Sequence, residues 1–111
     1  MRLVLPYPPS ANRLWKNARG HMVRSAEAKV YGYQVLAIAQ QAGIEPLAGA
    51  VAVSIDVYRP RKAGDLDNRI KAAMDSLNGL AWIDDGQIVE IHARRFDDKH
   101  NPRIEVEVTA A

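Results

Sequence analysis

The period of apolar residues changes several times along the chain, and each change marks an element. Residues 2–6, Arg-Leu-Val-Leu-Pro, predict a short first strand, and Pro6, Pro8 and Pro9 keep regular structure from continuing. Residues 10–24 are polar and basic, rich in Asn and Gly, and read as a long loop. Beyond it Ala28, Tyr31, Val35, Ile38 and Ala42 recur at spacings of three and four, one stripe of an amphipathic helix. Ser25 is placed to cap that helix and Gly43 to stop it. Gly32 costs about 1 kcal/mol relative to alanine, too little to overturn the stripe.

Residues 50–58 switch to a period of two. Val51, Val53, Ile55 and Val57 point one way and Ala52, Ser54, Asp56 and Tyr58 the other, a strand with one face on a core that Pro60 ends. Leu66, Ile70, Ala73, Met74 and Leu77 return to helical spacing, with Asp67 or Asn68 as cap and Asn78-Gly79 as stop. Two strands follow. Over 87–96, Val89, Ile91 and Ala93 alternate with Glu90, His92 and Arg94; over 103–109, Ile104, Val106 and Val108 alternate with polar residues. The polar span 97–102 has the size of a hairpin turn. The order strand, helix, strand, helix, strand, strand predicts an α/β fold: a mixed sheet of about four strands with two helices, most simply on one face. A length of 111 residues suits a single domain, 1–111.

Composition narrows the chemistry. With no cysteine, disulfides and cysteine-ligated zinc are excluded. Three scattered histidines make a poor metal site, so a metal would be held mainly by carboxylates, which suit magnesium or manganese. No apolar run approaches the ~20 residues of a membrane span, and the proline-bearing N-terminus is neither signal nor anchor. The expectation is a soluble, cytoplasmic protein without a membrane partner. A net charge of +2 does not by itself call for nucleic acid, but the charges cluster. Arg13, Lys16, Arg19, His21 and Arg24 share one acid-free stretch with Trp15, and Arg59, Arg61 and Lys62 form a second group. Both clusters suit phosphate binding; the plain alternative is two solvated loops.

The second basic group runs into Asp65-Leu66-Asp67-Asn68. In extended chain, residues two apart point the same way, so Asp65 and Asp67 offer two carboxylates to a divalent cation that needs a third ligand. The competing reading is a helix cap. Lys71, four residues beyond Asp67, shares its helical face and could meet a reacting phosphate; otherwise the two form an ordinary ion pair. Asp84-Asp85-Gly86 is a good turn signal, yet Asp85 could complete a carboxylate cluster if the helix and its loop return the chain to the sheet edge. Asp75 and the three histidines read as structural or surface residues, and Trp82 as core.

At these residues the chain resembles the RusA family of Holliday junction resolvases. Leu5-Pro6-Tyr7-Pro8-Pro9-Ser10-Ala11-Asn12-Arg13 is similar to that family's proline-rich N-terminal segment, and Val23-Arg24-Ser25-Ala26-Glu27-Ala28 with Tyr31 to its entry into the first helix. Asp65-Leu66-Asp67-Asn68-Arg69-Ile70-Lys71 through Leu77 resembles its central motif, and Trp82-Ile83-Asp84-Asp85-Gly86-Gln87-Ile88-Val89 its second acidic motif. The segments occur in order over nearly the whole chain. The resemblance implies a homodimer that binds four-way junction DNA and makes paired nicks with Mg2+, for which Mn2+ can substitute. It makes Asp65, Asp67 and Asp85 the catalytic acids and metal ligands and Lys71 the essential lysine, and it puts the basic residues before the first motif on DNA. The stretch Arg59-Pro60-Arg61-Lys62-Ala63-Gly64 departs from the unbroken arginine run of the family. A nuclease for other branched DNA, and a module that binds such DNA without cutting, remain alternatives.

Overall fold

The computed structural model describes residues 1–9, 15–62 and 66–111, apart from the side chains of Trp15, Ala18 and Asp67. Its elements are β1 (Arg2–Pro6), β2 (Trp15–Ala18), β3 (His21–Arg24), α1 (Ala26–Ala42), β4 (Val51–Arg59), α2 (Leu66–Leu77), β5 (Ile88–Asp97) and β6 (Arg103–Ala110), with one 3-10 turn, Asp85–Gln87, before β5. The main sheet is mixed and four-stranded, in the order β1-β6-β4-β5. Only the β4–β5 pair is parallel; β6 runs antiparallel to both β4 and β1. The α/β class and the strand count match the expectation from sequence.

The alternation in β4 does what it predicts. Val51, Val53, Ile55 and Val57 are fully buried beside Ile104, Val106 and Val108 of β6 and Leu3 and Leu5 of β1. Each such side chain contributes about 1.5–3 kcal/mol by leaving water. Tyr31 and Val35 of α1 and Ala73 and Leu77 of α2 join the same cluster, so both helices cover one face of the sheet. Ser25 caps α1, its Oγ accepting from the Ala28 N–H at 3.2 Å, and Gly43 ends it at φ 65°, a conformation that favours glycine. Among the described residues, no helix is long and apolar enough to cross a membrane.

Three expectations need correction. Residues 15–24 of the expected loop form a hairpin, β2–β3, turning at Arg19 (φ 52°) and Gly20 (φ 80°). Two successive positive φ values make the tight turn that matches strand twist, but Arg-Gly is not the usual pair for it and the short strands carry no alternation. Second, α2 starts at Leu66, so Asp67 and Asn68 lie inside its first turn rather than before it. Third, residues 97–102 do not close a hairpin. β4 lies between β5 and β6, and the connection crosses its end, with the Asp98 N–H donating to Arg59 O at 2.7 Å.

The alternation in β5 was also misleading. β5 is the edge of the sheet, and a bulge interrupts its register between Val51 and Ala52 of β4. Val89 is 64% exposed and Ile91 49%, on the strand that forms the open edge of the sheet.

The other face of the sheet carries a layer of paired charges. Arg94 makes a two-pronged ion pair with Asp56, both contacts at 2.9 Å, and Tyr58 and Phe96 stack at 5.0 Å. The Arg103 guanidinium lies 3.8 Å from the centre of the Tyr58 ring and bonds Asp98 and Glu105 at 2.9 and 2.8 Å. The hydrogen bonds from Arg103 hold both carboxyls below the usual carboxylate range. Their contribution to stability is therefore present at neutral pH and lost as pH falls through the folded-state pKa values, below about 4. Glu105→Gln should lower Tm at pH 7 and flatten the fall of Tm between about pH 5 and pH 2. A variant curve parallel to the parent's would remove Glu105 from the acid response.

Candidate active site

The residues singled out by sequence fall at the two ends of a βαβ unit. β4 and β5 are parallel, so the chain must return between them, and α2 is that return. Asp65 lies outside the described residues. Asp67 sits in the first turn of α2, and Lys71 is exposed in the second. This end of α2 lies by the C-terminal end of β4. Arg69 donates to Pro8 O at 3.2 Å, two residues beyond Pro6, which pairs with Arg103, itself opposite Tyr58.

Asp85 lies at the other end. Its Oδ1 accepts from Trp82 Nε1 at 2.8 Å, and Trp82 is wholly buried with a β-bridge to Asn78, just past the last turn of α2. Oδ2 has no partner among the described residues. The loop around Asp85 is fixed by Gln87, which donates to Leu47 O at 2.7 Å and Gly49 O at 2.8 Å, next to the start of β4. Between Val51 and Tyr58, β4 spans roughly 23 Å at ~3.3 Å per residue, and α2 covers roughly 15 Å from Asp67 to Leu77 at ~1.5 Å per residue. Within one chain the first turn of α2 and the Asp85 turn therefore lie at opposite ends of the helix. Among the described residues, no group of three acids and histidines is placed to hold a metal ion.

The basic residues divide by environment. Lys16 and Arg19 are exposed on the β2–β3 hairpin, and Arg61 and Lys62 are exposed just after β4. Arg13 lies outside the described residues. Arg24 is half-buried, its Nε enclosed without a hydrogen-bond partner among the described residues, and it lines a groove of about 360 Å3 between α1 and α2 together with Lys29, Tyr33 and Asp75. Arg59 is committed inside the protein: its Nε pairs with Asp97 at 2.8 Å and its side chain is only 11% exposed. The hairpin thus presents its cations to solvent, while the second cluster is reduced to Arg61 and Lys62. His21 and His100 are exposed, and His92 pairs with Glu90 on the open face at 2.7 Å.

Two residues were passed over in the sequence. Gln87 is one. Its Oε1 accepts from the Ile83 and Asp84 N–H groups at 2.7 and 2.9 Å, and Asp84 Oδ2 accepts from the Gly86 N–H at 2.9 Å, a reciprocal cap that shapes the Asp85 turn. Asp84, three residues before a Gln, was the readable signal. Arg69 is the other, and nothing in its helical spacing points to Pro8.

Residues 6–109 match the family described as endodeoxyribonuclease RusA. The chain is 36% identical over 110 residues to the crossover junction endodeoxyribonuclease RusA of Escherichia coli K12, an alignment covering 96% of this chain and 92% of that one. It is 36% identical to the protein of the same name from Shigella sonnei, and 34% identical to that of enterobacteria phage 82, with the same coverage.

Gln87→Ala should cost about 2 kcal/mol in urea unfolding, the sum of several partly exposed hydrogen bonds. Amide exchange at Ile83 and Asp84 should rise with it. Unchanged exchange at those two amides would contradict the role of Gln87 in holding the Asp85 turn.

Proposed function

Because this chain belongs to the RusA family of endodeoxyribonucleases, we propose that it is a crossover junction endodeoxyribonuclease that resolves four-way DNA junctions in recombination and repair, as a magnesium-dependent homodimer working in the cytoplasm. The observation that carries the reading is the match over 96% of the chain, which takes in both acidic motifs. Asp65, Asp67, Lys71 and Asp85 all lie within the residues matched to the family.

The donor set fits the metal. Three aspartates offer only hard oxygen ligands, and Asp85 keeps Oδ2 available while Trp82 steadies Oδ1. Magnesium held by Asp65, Asp67 and Asp85 supplies an activated water and a polarised scissile phosphate. Lys71, exposed in the second turn of α2, neutralises charge as it develops on the phosphate. Lys16 and Arg19 on the hairpin, with Arg61 and Lys62 after β4, hold the backbone of the bound strands, and binding accordingly weakens steeply with salt.

The distance between the motifs supports a dimer. The first turn of α2, with Asp67, and the Asp85 turn stand at opposite ends of that helix, which argues against one ion held within a single chain. Two copies related by a two-fold axis can oppose these ends, joining Asp65 and Asp67 of one protomer to Asp85 of its partner. Symmetry then provides two such sites, which suits paired nicks in a junction of two-fold character.

A synthetic four-way junction and a linear duplex of the same sequence, each with magnesium, test the activity. Symmetric paired nicks in the junction, with the duplex intact, are expected. Asp65→Asn or Asp67→Asn should abolish cleavage while junction binding persists. Binding without cutting by the parent protein would make it a binding module, and preference for flaps or forks would replace the substrate.

A further inference from the structure

From Pro6, the last residue of β1, the chain runs on through Tyr7, Pro8 and Pro9. Prolines have no N–H to give a sheet ladder, so side chains must fix the path of such a segment. Two do, one from each helix. Tyr31 of α1 donates its hydroxyl to Pro6 O at 2.8 Å. Arg69 of α2 donates Nη1 to Pro8 O at 3.2 Å, and its guanidinium lies over the Tyr7 ring, 4.9 Å from the centre. The Arg69 Nε is buried without a hydrogen-bond partner among the described residues, while the Tyr7 ring and Pro8 O engage the rest of the guanidinium.

The two ends of this contact matter. Arg69 lies two residues after Asp67, in the same turn of α2. The chain beyond Pro9 leads to the β2–β3 hairpin with its exposed Lys16 and Arg19, whose far leg is fixed where Ser25 caps α1. The near leg follows the proline segment in the chain. We propose that Arg69 is a positioning residue: by clamping Tyr7 and Pro8 to the first turn of α2, it sets the register between the phosphates held by the basic hairpin and the acids that cut. This rests on the nuclease reading above. It adds that the acids do not choose the scissile phosphate alone. A bond between α2 and the proline segment fixes which phosphate they meet.

Two measurements test it, one with DNA and one without. With DNA, Arg69→Met should slow single-turnover cleavage at saturating enzyme by about 10- to 100-fold, the scale expected of a misplaced reacting group. The nicks should spread to neighbouring phosphodiesters, with junction Kd and its salt slope unchanged. Tyr7→Leu should act the same way, and Arg69→Lys, which keeps a donor for Pro8 O, should recover part of the precision. A merely structural loss would lower Tm and leave nick positions fixed. A direct phosphate contact would weaken Kd and reduce the salt slope by about 1. Either result overturns the proposal.

Without DNA, the absence of cysteine lets spin labels be placed at Met22→Cys on the hairpin and Asn78→Cys after α2, both exposed sites. The distance distribution should broaden with Arg69→Met and narrow again with Arg69→Lys. An unchanged distribution overturns the clamp. A parent protein that cuts no junction, combined with broadening here, would sink the nuclease reading and leave the clamp standing.

Discussion

Parallel pairing of β4 with β5 is the constraint from which the rest of the arrangement follows. Two parallel neighbours cannot be joined by a tight turn, so the chain must travel back along the sheet before the second strand begins. α2 makes that journey, and its apolar side, Ala73 and Leu77, completes the core over the buried valines of β4. The same journey separates the two acidic motifs. One enters α2 by the C-terminal end of β4, and the other leaves through the Asp85 turn by the N-terminal end. A helix that is needed to close the core thus stands between the first turn of α2 and the Asp85 turn within one chain. In the proposed dimer, one packing requirement accounts both for the separation of the acids and for the need of a second copy.

The short connections decide how well each half is held. Asp85 is exposed but not loose. Trp82, wholly buried, holds one of its oxygens, and Gln87 ties its turn to the residues leading into β4. At the other end the proline segment leaves the sheet ladder after Pro6. It depends on the Tyr31 hydroxyl, which burial keeps firmly protonated and so a donor, and on Arg69. The basic hairpin follows this segment in the chain. Side-chain contacts, Arg69 to Pro8 O and to the Tyr7 ring, connect the proline segment to the helix that carries Asp67.

Where periodicity was strong, the elements were legible in the sequence. The alternating valines of β4, the stripe of α1 between Ser25 and Gly43, and the burial of Trp82 follow from local chemistry alone. The acids and Lys71 could be picked out as candidates by spacing and by resemblance. What was not legible depends on pairing between distant segments. The β2–β3 hairpin has short strands and an unusual Arg-Gly turn. The exposure of Val89 and Ile91 follows from the place of β5 at the edge, which alternation within a strand does not encode. The separation of Asp85 from Asp67 follows from β5 lying parallel beside β4, whereas a sequence reader sees only two motifs some twenty residues apart. Arg59, counted among the cations for DNA, proves to be the partner of Asp97 on the neighbouring strand.

The central claim is that the acids of one site come from two chains, and mixed dimers test it most directly. Asp67→Asn and Asp85→Asn proteins, each inactive alone, are combined under conditions that exchange protomers and given a four-way junction with magnesium. In a mixed dimer, one of the two shared sites carries both substitutions and the other carries neither. The account predicts that mixing restores nicking, at a single strand in each junction. If every site were built within one chain, each protomer of the mixed dimer would remain defective. A mixture that exchanges subunits, binds the junction and still makes no nick would contradict the account.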